Sequence, residues 1–411
     1  MRVLSIMLLI ALLGASAALP AQSRDDNWNR CEGDDPDLSI VGCTALIQSG
    51  QENNTNLAGA FRNRGIAYDA KGDYDRAIQD FNQALQLNPN FADAFSSRGS
   101  AYDDKGDYDR AIQDYDQALR LNSKFEDAFV NRGVAYREKG EYDRAIQDFD
   151  QALRLDPTDA TAFVDRGVTY DDKDEYDRAI QDYDQALRLK PSYANAFNDR
   201  GFSYYEKGEY DRAIQDFDQA IRLNPGHSTA FNNRGNAYRR KRDYDRAIQD
   251  YDQAIRLKPA YATAFNNRGI AYDDKGDYDR AIQDYGQVIA LRPNDAGAFN
   301  ARCFDRAILG KLELALADCN HALTLLPKDA DTLDSRGFAY LKLKNPDAAI
   351  ADYNAALAIS PKMASSLYGR GLAERIKGNQ AASDKDLATA RKLQPTIAAD
   401  FTKWGVPVPT P

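Results

Sequence analysis

Two histidines, four cysteines and 63 carboxylates are the side chains of this 411-residue sequence whose types could do chemistry. None of them stands in a catalytic arrangement. His227 and His321 are too far apart in the chain's organisation to form one metal site. There is no G-x-S-x-G, no phosphate loop and no H-E-x-x-H. The run Asp103-Asp104-Lys105-Gly106-Asp107 has a passing likeness to a calcium loop, but it lacks the EF-hand spacing and the closing glutamate. No pair of carboxylates stands out as a general acid and base. The expectation is therefore no metal, no cofactor and no enzyme. The net charge of -10 argues against nucleic acid or an anionic membrane surface as the main partner.

The N-terminus reads as an export signal. Arg2 is followed by an apolar run from Val3 to Leu13, broken only by Ser5. Ala15-Ser16-Ala17 is a cleavage site and Leu19-Pro20-Ala21 a second one, so the segment 1–21 is expected to leave the mature chain. The run is short for a membrane span, and no cysteine follows it closely enough for a lipid anchor. Export makes disulfides permissible for the four cysteines.

From residue 58 the sequence repeats every 34 residues, through ten units at 58–91, 92–125, 126–159, 160–193, 194–227, 228–261, 262–295, 296–329, 330–363 and 364–397. In the first unit Phe61, Gly65 and Tyr68 share one helix face by their i, i+4, i+7 spacing, and Ala77, Phe81, Ala84 and Leu85 share another. Between them, Lys71-Gly72-Asp73 supplies a turn glycine and an N-cap. Pro89 ends the second helix. No such pair can bury its face alone, so stacking must supply the core.

Phe61-x2-Arg64-Gly65-x2-Tyr68, Ala77-x3-Phe81, Ala84 and Pro89 resemble the tetratricopeptide-repeat (TPR) signature, with Phe for Trp and Arg for Leu. The resemblance covers 340 of the 411 residues. It implies an all-α fold, a TPR α-solenoid coiled as a right-handed superhelix, whose first helices line a concave groove that binds other polypeptides.

Arg stands at the seventh position of every unit and Asp at the twenty-third, as in Arg64 and Asp80, Arg98 and Asp114, Arg132 and Asp148. The family has an apolar residue at the seventh position. A partly buried guanidinium there needs a counter-charge, and the Asp across the helix pair is the expected partner. In the eighth unit Cys303 replaces the glycine and Cys319 the second-helix aromatic, two positions that pack together in the family. The resemblance thus implies a Cys303–Cys319 disulfide. Cys31 remains for Cys43, which sits at the aromatic position of a lone second helix, Ser39 to Ile47, so residues 22–57 are expected to form a half-repeat cap. After Pro395, Ile397, Phe401 and Trp404 fall on one face of a short capping helix, 398–404, followed by a loose tail, 405–411.

By the same resemblance, positions 5, 6, 9, 12 and 13 of each unit face the groove. Asn63, Asn131, Asn233 and Asn267 at position 6, with Asn232 and Asn236 nearby, are similar to the asparagine ladder of O-GlcNAc transferase. Such amides donate and accept at once and can hold an extended backbone; equally, Asn suits a solvated face. Positions 12 and 13 are acidic in most units, with lysines directly following that complement the helix ends. Arg239 and Arg240 form a basic island. The carboxylate clamp of chaperone-binding TPR proteins is absent, since Asn232, Gly297 and Ala301 stand where its cations belong. The expected function is a non-catalytic periplasmic or secreted scaffold that binds an extended peptide or helix of another exported protein. Alternatives are a scaffold that positions cell-envelope enzymes and a protein that binds cell wall or carbohydrate.

Overall fold

The computed structural model describes residues 23–407, so the export-signal segment and the last four residues lie outside the described part. All the described secondary structure is helical. The chain divides into two compact units, 1–175 and 176–411.

Unit 1 runs α1 (Arg24–Cys31), α2 (Pro36–Ser49), α3 (Asn54–Ala70), α4 (Tyr74–Leu87), α5 (Ala92–Asp104), α6 (Tyr108–Leu121), α7 (Glu126–Glu138), α8 (Tyr142–Leu155) and α9 (Ala160–Asp171). Unit 2 begins with α10 (Tyr176–Leu189), then α11 (Ala194–Glu206), α12 (Tyr210–Leu223), α13 (Ser228–Arg240), α14 (Tyr244–Leu257), α15 (Ala262–Lys275) and α16 (Tyr278–Leu291). It continues through α17 (Ala296–Ile308), α18 (Leu312–Leu325), α19 (Ala330–Lys342), α20 (Pro346–Ile359), α21 (Ala364–Ile376), α22 (Gln380–Leu393) and α23 (Ile397–Lys403). The 34-residue period thus emerges as tandem helix pairs, the odd-numbered member first. Ahead of the first repeat stand two helices, α1 and α2, where the sequence suggested one.

Local sequence explains each element. The turn glycine, as at Gly72, adopts φ of +74°, which a side chain resists. Asp174, Arg242 and Lys344 hold the same turn at φ of 59°, 61° and 56°. The Asp73 carboxylate accepts from the Arg76 backbone N–H at 3.2 Å, capping α4. Between paired helices, the first-helix glycine receives the second-helix aromatic. A Cβ on Gly65 would lie 2.6 Å from Phe81, and on Gly133 2.8 Å from Phe149. The small residues Ala77, Ala84 and Ala145 are fully buried, so the helices approach closely.

Within each unit most successive first helices touch one another, as α3 does α5 and α17 does α19, whereas among the described residues contact between successive second helices is absent or marginal. First helices therefore line the inner side of each unit.

Candidate functional site

The recurring arginine is the centre of a repeated polar core. Arg64, Arg98 and Arg132 each grip one carboxylate with two N–H groups: Asp80 at 2.7 and 2.8 Å, Asp114 at 2.7 Å and Asp148 at 2.7 Å. The same fork recurs in unit 2 at Arg200, Arg234, Arg268, Arg302, Arg336 and Arg370. These aspartates are buried, and burial pushes the Asp148 carboxyl above its ordinary range despite its arginine. Each ion pair is therefore a means of burying polar groups within a helix pair.

Sequence reasoning missed the third N–H of this arginine. It reaches back to the preceding helix pair, to Asn82 from Arg98, Asp116 from Arg132 and Asp184 from Arg200, each at 2.5 Å. A second row joins consecutive repeats at the edge. Lys105 donates to Asp75 at 2.5 Å, Lys139 to Asp109 at 2.7 Å and Lys207 to Asp177 at 2.5 Å. The lysines expected to complement their own helix ends thus bind carboxylates of the preceding repeat. The signal was present as an acid recurring at the eighteenth and twenty-fifth positions.

The eighth repeat departs from the others. Cys303 and Cys319 are disulfide-bonded, S–S 1.99 Å, in place of the glycine–aromatic contact. Gly286 offers Arg302 no side chain, and Arg306 joins Asp318 at 2.6 Å instead. Asp305, 2% exposed, is pushed up to about 10 by burial and by Asp273, so this carboxyl pair holds a proton at neutral pH. The second disulfide, Cys31–Cys43, S–S 1.97 Å, ties α1 to α2. Two disulfides suit an oxidising compartment.

The candidate groove residues fall into two groups. In unit 2 the amides are spent on one another. Asn233 donates to Asn198 at 3.2 Å and Asn267 to Asn232 at 2.9 Å, while Asn232 donates to Asn233 at 3.3 Å. Asn232 is only 4% exposed, which corrects its placement as a groove-facing residue. Asn236 accepts from the Tyr251 hydroxyl at 2.8 Å. The basic island is likewise engaged: Arg239 pairs with Asp274 at 3.2 Å and Arg240 donates to Tyr210 at 3.1 Å. In unit 1, Asn63 and Asn131 are half-buried. Asn63 lines a cavity of about 440 Å³ with Gly33, Asp34, Ile66 and Ala70. Nearby, Asp69 and Asp103 each keep one carboxylate oxygen shut from water with no hydrogen-bond partner. Burial, reinforced by Asp104, raises both to about 6. Among the described residues no group of three or more His, Cys, Asp or Glu is placed to hold a metal ion, and no helix is long and apolar enough to cross a membrane.

The protein-family models agree with this architecture. A tetratricopeptide-repeat family model matches residues 97–160, 130–194, 164–228, 198–264, 232–298 and 266–330. Two further tetratricopeptide-repeat models match 58–91 and 330–363. No curated protein matches the sequence. Among solved structures, the chain is similar to the MamA protein, with 28% identity over 40% of this chain and 91% of that one, TM-score 0.37. It is also similar to YrrB, described as a TPR protein with an unusual peptide-binding site, with 26% identity over 46% of this chain and 96% of that one, TM-score 0.38. The APC/C hetero-tetramer Cut9-Hcn1 aligns over 92% of this chain and 94% of its own, at 16% identity and TM-score 0.49. With family models spanning more than half of its length and tandem helix pairs throughout, the chain belongs to the tetratricopeptide-repeat family.

Proposed function

We propose that the chain is a non-catalytic scaffold, exported to the periplasm or beyond, that holds a segment of another exported protein against its first helices, and that unit 1 is where it does so. One observation carries this reading: unit 1 sets carboxylates with an unpartnered oxygen beside an exposed apolar row, whereas the matching Asp273 of unit 2, which also keeps one oxygen unpartnered, has its other oxygen held by the Tyr285 hydroxyl. Asp69 and Asp103 each bury an unpartnered oxygen. Such orphaned groups cost about 1–3 kcal/mol each, a cost that an incoming donor removes. Ile66 stands 40% exposed one turn away, in a row with the half-buried Val134 and Val168. The Asn63 and Asn131 amides add groups that can pair with a backbone. A segment alternating apolar with Lys or Arg side chains fits this face; an acidic one does not.

The test is affinity capture from the cell envelope and culture medium, with wild type beside an Ile66→Ser, Asp69→Asn, Asp103→Asn variant. A polypeptide retained by wild type and lost by the variant is the expected result. Identical capture profiles would remove the reading.

A further inference from the structure

At the end of unit 2 the inner side is already occupied, by the chain itself. The sequence placed the last helix as a lid on the final repeat. Instead α23 extends across three repeats. Its Trp404 ring meets Phe304 of α17 at 5.0 Å and Phe338 of α19 at 5.8 Å between centroids. Phe401 meets Phe338 at 5.8 Å and Tyr368 of α21 at 4.8 Å. Phe304 and Phe338 stand at the ninth position of their repeats, the position of Ile66, Val134, Val168 and Phe202. In unit 1 that position is half-buried or exposed; beneath α23, Phe338 is 2% exposed. Lys342 completes the seat by donating to the Trp404 carbonyl at 2.9 Å and the Ile308 carbonyl at 2.7 Å.

The fit is close at Ile397 and Phe401, each 1% exposed, and incomplete towards the C-terminal end. α23 has seven residues and no side-chain N-cap, and Trp404 stays half-buried. Beyond it, Val406 and Pro407 border an unfilled apolar cavity of about 450 Å³ with Leu341, Leu372 and Ile376. Lys344 and Arg375 also line it. A cavity of this size is within the range of ligand pockets.

We propose that α23 is a displaceable plug, and that the inner face of α17, α19 and α21 is a docking groove for a partner's short helix bearing aromatic residues at i and i+3. The helix is followed by an apolar residue larger than Val406 and by an acidic group that meets Lys344, beside Arg375, which pairs with Asp384 at 3.3 Å. The occupant's chemistry is that of α23, because the chain's own segment shows what this face accepts: two rings between first-helix aromatics and a helix C-terminus against Lys342. The cavity beside Val406 says where a partner improves on it. This proposal rests on the reading of the first helices as the binding side, but it concerns other residues than those of unit 1.

The experiment uses the full chain and a fluorescein-labelled peptide of residues 395–407. Wild type is plugged, so Trp404→Ala should bind the peptide about tenfold more tightly, because a larger fraction of grooves is open. Adding Phe338→Asp should abolish that binding. A peptide with Val406→Phe should bind more tightly than the native one, and a peptide with Thr402→Pro, which removes a helical N–H and clashes with the preceding turn, should lose binding. Should the Trp404→Ala chain not fold, wild type serves directly. A peptide with Phe in place of Trp404, added in excess, should shift the protein's own Trp404 emission to the red as the ring leaves Phe304 and Phe338. Equal binding by the proline peptide would overturn the helical ligand in favour of an extended one. No binding to Trp404→Ala, or no emission shift in wild type, would overturn the plug. Those failures leave the capture test on Ile66, Asp69 and Asp103 untouched.

Discussion

The inner sides of the two units dispose of their amides and apolar residues differently. Both are built from first helices carrying Asn, Asp and apolar residues at matching positions. In unit 2 the amides of Asn232, Asn233 and Asn267 pair with one another, the basic island pairs with its neighbours, and α23 covers the last aromatics. In unit 1, Ser96 stands 35 residues before Asn131, where Asn233 meets Asn198, and Val130 stands beside it, where Asn233 has Asn232, so Asn131 meets no amide ladder. Asp69 and Asp103 keep an oxygen without a partner, as Asp273 of unit 2 does, but only Asp273 has its other oxygen held by a tyrosine hydroxyl, that of Tyr285. The lesson is that a recurring residue type is not a recurring role. The same asparagine is part of the scaffold beside a second amide and an open donor–acceptor beside a valine.

The comparison can be broken most forcefully through the arginine core. Arg132→Leu strands Asp148 and Asp116 and should cost about 3–5 kcal/mol, the usual loss when one member of a buried pair is removed. Arg302→Leu should cost only about 1–2 kcal/mol, because Arg306 still reaches Asp318. Urea unfolding with site-resolved hydrogen exchange separates the two, and equal losses would show that the eighth repeat is not distinct. Restoring that repeat is the next test. Cys303→Ser should cost about 3 kcal/mol through loss of the cross-link. Cys303→Gly with Cys319→Tyr should recover most of it by recreating the contact seen at Gly269 and Tyr285.

A pH titration sharpens the difference between the units. Asp69 and Asp103 have folded pKa values of about 6, raised by burial. A cationic segment favours their charged forms, so its binding must release protons and strengthen as pH rises through 6. Between pH 5 and pH 7 the affinity of a Lys-rich apolar peptide should rise by up to about tenfold for each of the two carboxyls that gives up its proton. Asp69→Asn with Asp103→Asn should flatten that profile. In the free protein the sign is reversed. These raised acids favour the protonated fold, so their contribution to stability improves as pH falls from 6 towards 4.

Smaller effects distinguish the amides. Asn233→Ala should cost about 1 kcal/mol, because it leaves Asn198 and Asn232 short of a partner. Asn131→Ala should change stability by less than about 0.5 kcal/mol while weakening capture of the partner. The edge row gives the smallest change. Lys105 and Asp75 are 34% and 80% exposed along their side chains. Lys105→Ala should therefore cost no more than about 1 kcal/mol, and the loss should vanish in high salt.

Much of the fold could be read from periodicity. Phe61, Gly65 and Tyr68 define one helix face and Ala77, Phe81 and Ala84 another, since local spacing decides which side chains share a stripe. The bidentate Arg64–Asp80 pair was legible because a buried guanidinium demands a carboxylate within reach. The third arginine N–H was not: its partner belongs to the preceding repeat, and no spacing within one unit reveals it. Nor was the reach of α23. Ile397, Phe401 and Trp404 announce an amphipathic helix, but not that the rings land on Phe304 and Phe338.

The sequence by itself determined the family, the helix pairs and the pairing of charges within a repeat, because those depend on contacts close along the chain. Only the tertiary structure decided which asparagines are consumed, which carboxylates are left unpartnered and which stretch of the inner face is covered. Those outcomes depend on the side chain that the neighbouring repeat, or the far end of the chain, brings into contact.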